Sequence, residues 1–131
     1  MTVVPARLRK IIHKRDGGYC VRCGTTTALT MQHREAVGAG GTTIDPALTS
    51  PADLLLACGS CNEGFEHRLQ ADALRYGWKL RRNRDHELWP GDKVPFFDAV
   101  LGHWYMPDSS GGRRWVAKAG AMSTVALANG E

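Results

Sequence analysis

Two Cys-x-x-Cys knuckles, Cys20–Cys23 and Cys58–Cys61, hold all four cysteines of this chain. Four thiolates fill the coordination shell of a closed tetrahedral zinc. Such a metal forces two distant segments to meet at one point, so it constrains the fold more than any other feature. The competing arrangements are a pair of disulfides or four unrelated buried thiols. No apolar, signal-like segment precedes the first knuckle, so reduced thiols and a structural Zn²⁺ on Cys20, Cys23, Cys58 and Cys61 are expected. Residues 24–57 separate the knuckles, a longer spacer than the about 15–20 residues of a compact zinc ribbon. A further functional unit has room to fold between them.

A chain of 131 residues is one domain, or a small domain with an appendage. Its 43% hydrophobic content supports only a modest core, to which a zinc staple would add stability. The net charge of +4 is mild, but its distribution is uneven. Arg7, Arg9, Lys10, Lys14, Arg15 and Arg22 form one basic cluster, and Arg75, Lys79, Arg81, Arg82 and Arg84 a second. A basic cluster alone is often a solvated face; two on one small domain suggest a polyanionic partner. No run is long enough for a transmembrane helix, which excludes a helical membrane anchor within this sequence and points to a cytoplasmic protein.

Pro5 suits a first helical position, and Val4, Leu8, Ile11 and Ile12 recur at helical spacing with basic residues opposite. Asp16-Gly17-Gly18 should end this helix and turn the chain into the first knuckle. Ala28 to His33 alternates as a short strand. Residues 37–52 are rich in Gly, Thr and Pro without periodicity, and so long a loop in a compact domain is usually functional. From Cys61 the pattern becomes helical through Tyr76, with Gly77 as its stop. Residues 78–118 read as short strands and turns, with strands over Phe96–Val100, His103–Met106 and Arg114–Ala117, the last two as a hairpin. All four tryptophans fall in that part, where packing explains them better than ligand stacking. Residues 119–131 lack a pattern and are expected to fray. His13, His86 and His103 have no partner motif and read as surface or packing residues.

The order of strand ending in histidine, long loop, second knuckle and helix brings His33 and Asn62 toward one small cleft. Here the chain resembles the HNH endonuclease family, the ββα-metal nucleases with added zinc knuckles. The residues that carry the resemblance are Cys20-Val-Arg-Cys23, Leu29-Thr-Met-Gln-His33-Arg34, Gly40-Gly41, and Pro51-Ala-Asp53 through Cys58-Gly-Ser-Cys61-Asn62. The match covers about residues 7–70 and is most similar to small stand-alone HNH proteins of actinobacteriophages. It implies an α+β fold: a zinc-stapled ββα-metal core with an N-terminal helix over 1–76, a short-stranded extension over 77–118, and a tail.

The resemblance also implies a metal-dependent DNA endonuclease. His33 would be the general base on water, with Asp53 and Asn62 completing the catalytic signature. A divalent cation (Mg²⁺, Mn²⁺ or Ni²⁺) would lie on Gln32, Asn62 and Glu66, and Arg7, Lys10, Lys14 and Arg34 would hold DNA. For the phage relatives it further implies work beside a terminase in the host cytoplasm. This sequence departs from the family pattern at three positions. Gln32 stands where Asp or His is common, Asp53 replaces the middle Asn, and Asn62 replaces the final His. Gln32 and Asn62 are neutral and would bind Mg²⁺ weakly, so Glu66, one helical turn past Asn62, is the candidate for the missing charge; Glu35 is a more distant one. The alternative is a non-catalytic zinc module for nucleic acid or protein whose HNH site has decayed, although a decayed site has no reason to keep His33. A Cys-x-x-Cys oxidoreductase fits poorly, because no thioredoxin-like βαβ pattern surrounds either knuckle.

Overall fold

The structure, a computed structural model, describes residues 4–35 and 49–130. The Gly40-Gly41 pair and most of the loop expected over 37–52 lie outside the described residues. Helix α1 spans Ala6–Arg15 and follows Pro5, whose φ of −56° already suits a helix start. It buries Leu8 and Ile12 and leaves Arg7, Arg9, Lys10 and Lys14 exposed. The chain then turns at Gly17 and Gly18, with φ of 76° and 75°. These left-handed values favour glycine, and so the expected stop holds.

Strands β1 (Leu29–His33) and β2 (Leu54–Cys58) pair antiparallel, with Leu29 opposite Cys58 and His33 opposite Leu54. Strand alternation gives this ribbon two faces. Leu54, Leu56 and Met31 pack against Val4, Leu8 and Ile12 of the α1 segment. Leu55 and Ala57 face the other way, into a core with Phe65, Leu69, Trp78 and Phe96. Arg15 locks the end of α1 to this ribbon. Its guanidinium pairs with Asp16 at 2.8 Å and donates to the carbonyls of Pro51 and Leu54, while Asp16 accepts the Leu56 amide. All of these groups are buried, and each is satisfied.

The helix expected from Cys61 to Tyr76 is two helices, α2 (Gly59–Phe65) and α3 (Gln70–Arg75). The break follows from Gly64. Leu69 folds back so closely that a Cβ on Gly64 would meet Leu69 Cδ1 at 2.7 Å, and the Leu69 amide donates to the Gly64 carbonyl. A side chain at 64 would force the helix to continue or Leu69 to leave the core.

Beyond Gly77, strands β3 (Phe96–Asp98), β4 (His103–Pro107) and β5 (Arg113–Val116) form an antiparallel sheet in that order. This confirms the expected hairpin. Phe96 and Trp78 join the core formed with Leu55 and Ala57, which packs the extension onto the ribbon, and Trp78 Nε1 donates to the Phe97 carbonyl within the extension. The expectation of a frayed tail is wrong. Residues Lys118–Ala128 form α4, which buries Ala121, Val125 and Ala128 against Leu80, Val94 and Trp104. Its small residues carry little helical periodicity, but they pack against a surface that local sequence does not reveal.

Candidate metal centre and catalytic cleft

Cys20 and Cys23 lie in the turn after α1, Cys58 ends β2, and Cys61 lies in the first turn of α2. Their four sulfurs lie within 4.8 Å of one another, with Cys23 and Cys58 at 3.7 Å. A tetrahedral zinc with Zn–S of about 2.3 Å sets its ligand sulfurs about 3.8 Å apart, so this donor set fits a structural zinc. Burial raises the Cys20 thiol, but the amides of Cys23, Cys58 and Arg22 outweigh it and bring it to about 7. Burial pushes Cys61 up to about 12, against the Arg22 guanidinium that donates to its sulfur. A bound cation removes this inequality, because a coordinated thiol is deprotonated outright.

At the opposite end of the ribbon, half-buried His33 opens into a cleft of about 460 Å³ that it shares with Glu35, Asp53, Arg84, His86 and Asp92. Burial lowers the His33 pKa, and the Asp53 carboxylate opposes that shift. The imidazole is therefore neutral at pH 7 and able to accept a proton. Burial also raises the Asp53 pKa, against Arg34 and Arg84. Asp53 belongs to a 3-10 turn over Pro51–Asp53, capped by Ser50, whose hydroxyl accepts the Ala52 amide. Its own carbonyl accepts the Arg34 amide at 2.9 Å.

Arg34, expected to contact DNA, does not reach solvent. Its side chain is fully buried and donates to five carbonyls, those of Ala52, Gly77, Gly91, Val94 and Pro95. A guanidinium in such a shell is a structural tie. It binds the turn carrying Asp53 to the extension carrying Gly91, and with Arg15 it brackets residues 51–54 from two sides.

The expected cation ligands are not brought together with His33. Strand alternation sends Gln32 and Thr30 to the α2 side of the ribbon and His33 to the α1 side. Gln32 is only 2% exposed, and its Nε2 is buried with no hydrogen-bond partner among the described residues. Asn62 donates to Thr30 Oγ1 at 2.9 Å, so it does reach the face that Gln32 occupies. Glu66 caps the C-terminus of α2 instead of extending it, and its carboxylate is taken by Lys79. Two neutral amides, one of them buried, and one neutralised carboxylate do not fit a hard divalent cation. Among the described residues, only the four thiols cluster closely enough to hold a metal.

Glu35, the more distant candidate for the missing charge, lies on the far wall of the cleft and is ion-paired there. Glu35 accepts from Arg84 at 2.8 Å and meets His86 Nε2 at 2.5 Å. No local signal joins residues so distant in sequence. The second basic cluster is also largely spent, on Glu66 by Lys79, on Glu35 by Arg84 and on Asn129 by Arg81. By contrast Arg7, Arg9, Lys10 and Lys14 enter no ion pair among the described residues.

These features define a mixed α+β protein whose two knuckles form one site suited to a structural metal. No helix among the described residues is long and apolar enough to cross a membrane. No protein-family model, curated protein or solved structure matches the chain.

Proposed function

We propose that this protein is an HNH-type DNA endonuclease in which His33 is the general base. The observation that carries the reading is His33 itself, at the end of a strand, half-buried, with a lowered pKa and opening into the cleft beside Asp53. The ribbon followed by α2, stapled at its far end by four thiols, has the order of a ββα core with a zinc knuckle. His33 takes a proton from water, and the resulting hydroxide attacks the phosphodiester phosphorus. Asp53 favours the imidazolium that forms. The exposed basic face of α1 holds backbone phosphates without reading bases.

The leaving 3′ oxygen needs a positive partner, which in this class is a divalent cation. The set of Gln32, Asn62 and Glu66 does not supply a site for one, and that observation favours a second reading: a zinc-stapled nucleic-acid-binding module that has lost catalysis. Nicking of supercoiled plasmid by zinc-loaded protein, with Mg²⁺, Mn²⁺ or Ni²⁺ added, decides between them. Nicking by wild type that disappears in His33→Ala supports the nuclease. DNA binding without nicking under every metal supports the decayed module.

A further inference from the structure

His86, expected as a surface or packing residue, lines the same cleft as His33. Each of the two imidazoles has a carboxylate beside it. Asp53 acts on His33, and His86 Nε2 meets Glu35 Oε1 at 2.5 Å. His33 and Glu35 flank Arg34, which turns inward and is fully buried, while both outer residues face the cleft. Two positions along a chain span at most about 7 Å, so Glu35 tethers the second ring beside the first.

Glu35 does not need His86 to balance its charge. Arg84 already pairs with it at 2.8 Å from a side chain only 4% exposed, whereas the His86 side chain is 53% exposed. The turn that carries His86 is fixed by other bonds. Asp85 Oδ1 accepts the amides of Glu87 and Leu88, and Arg84 Nε donates to the Trp89 carbonyl. An exposed ring, held at one nitrogen by a carboxylate on a fixed turn, is oriented for chemistry and adds little to the fold. The remaining charges of the cleft leave room for a phosphate: Glu35 is balanced by Arg84, Asp53 lies in the field of Arg34 and Arg84, and Asp92 is exposed.

Resting on the nuclease reading above, we propose that His86 is the general acid that protonates the leaving 3′ oxygen, across the phosphate from His33 as the base. His33 takes a proton from water, and the water oxygen bonds to phosphorus. The P–O3′ bond breaks, its electron pair stays on O3′, and the Nδ1 proton of the His86 imidazolium goes to that oxygen. The products carry a 5′-phosphate and a 3′-hydroxyl, and both rings return to their starting forms by exchange with solvent. An imidazolium has a proton on each nitrogen, so Glu35 holds one while the other is given. His86 thus supplies the positive partner that Gln32, Asn62 and Glu66 do not.

The test uses zinc-loaded full-length protein in Mg²⁺ under single-turnover conditions. The substrate is a labelled duplex with sulfur in place of O3′ at one linkage, compared with the same duplex carrying oxygen there. A thiolate leaves without being protonated, so the sulfur linkage removes the need for an acid and keeps the need for a base. His86→Ala should slow the oxygen linkage by about 10²- to 10⁴-fold and leave the sulfur linkage within a few-fold of wild type. His33→Ala should be slow at both. Wild-type cleavage with His86→Ala unchanged, or slowed equally at both linkages, overturns the inference and leaves the nuclease reading in place. So does a sulfur linkage that wild type cuts poorly in Mg²⁺ and well in Mn²⁺, which accepts sulfur more readily, since a cation would then carry the leaving group. No cleavage of either linkage by wild type overturns the nuclease reading and this inference with it.

Discussion

Gly91 lies so close to Asp53 that a Cβ on it would come within 2.2 Å of Asp53 Oδ1. The glycine belongs to the 3-10 turn of the extension, and its carbonyl accepts from the buried Arg34. Asp53 therefore sits beside His33 only because residue 91 has no side chain. Gly91→Ala should force the carboxylate or the turn aside and destabilise the protein by about 1–3 kcal/mol, the usual cost of overpacking. The check is chemical denaturation, with a lower midpoint and an unchanged slope as the expected outcome.

The four clustered thiols predict a steeper loss if they hold a structural zinc. Native protein should retain one zinc per chain through dialysis, and Cys58→Ser should lose it together with cooperative unfolding, because metal affinity here is folding energy. Cys58 joins β2 to α2, and its sulfur accepts the Cys61 amide; a serine oxygen can accept the same amide, so the loss in this variant reads the metal and not the cap of α2. Folded, soluble protein free of zinc by elemental analysis would refute the site.

Asn129 gives a prediction in the segment expected to fray. Its side chain accepts the Arg81 amide and donates to the carbonyls of Leu74 and Lys79, and the residue is 1% exposed. Asn129→Ala should cost about 1–3 kcal/mol, since it strands these buried groups without partners. Removal of residues 118–131 should cost more, because it also uncovers Leu80, Val94 and Trp104. Thermal unfolding of the two variants, compared with wild type, measures both.

What could be read from the sequence was the local physics. Knuckle spacing, the stop at Gly17-Gly18, the strand ending at His33 and the C-terminal hairpin each follow from a few adjacent residues. What could not be read depends on partners far along the chain. Arg34 looks like a surface cation until five carbonyls from residues 52–95 surround it. Glu66 follows α2 directly and keeps helical φ and ψ, but its carboxylate is taken by Lys79, a partner thirteen residues further on that no local pattern announces. Helix α4 has no marked apolar stripe of its own, and its burial is set by the surface it meets. His86 reaches the cleft by pairing with Glu35, a relationship that no motif encodes.

If the free cations of α1 hold DNA, replacing Arg7, Lys10 and Lys14 with alanine should weaken binding to every duplex sequence alike. The slope of log affinity against log salt should fall by about 0.9 for each phosphate that is no longer neutralised. Stability should change little, because all three side chains are exposed. An unchanged slope would reduce this face to solvated surface.

The coupling of His33 to Asp53 fixes the direction of the pH dependence. Burial holds the His33 pKa below its unfolded value of about 6.5. Between the folded and unfolded values the unfolded chain binds more protons, so stability rises with pH through that window. The contribution is fully present above about pH 6.5 and is lost as pH falls through the folded value. Asp53 opposes the lowering, so Asp53→Asn should move the folded pKa further down. The stability window then widens toward acid, and the acid limb of any nicking activity moves to lower pH with it. The plateau rate should fall as well, because a weaker base is a poorer proton acceptor. The Arg34 amide bonds the backbone carbonyl of residue 53, so the variant should keep that tie. Titration of the His33 ring by NMR measures the shift directly; a pKa that stays put or rises in Asp53→Asn would show that this carboxylate does not set the charge of the base.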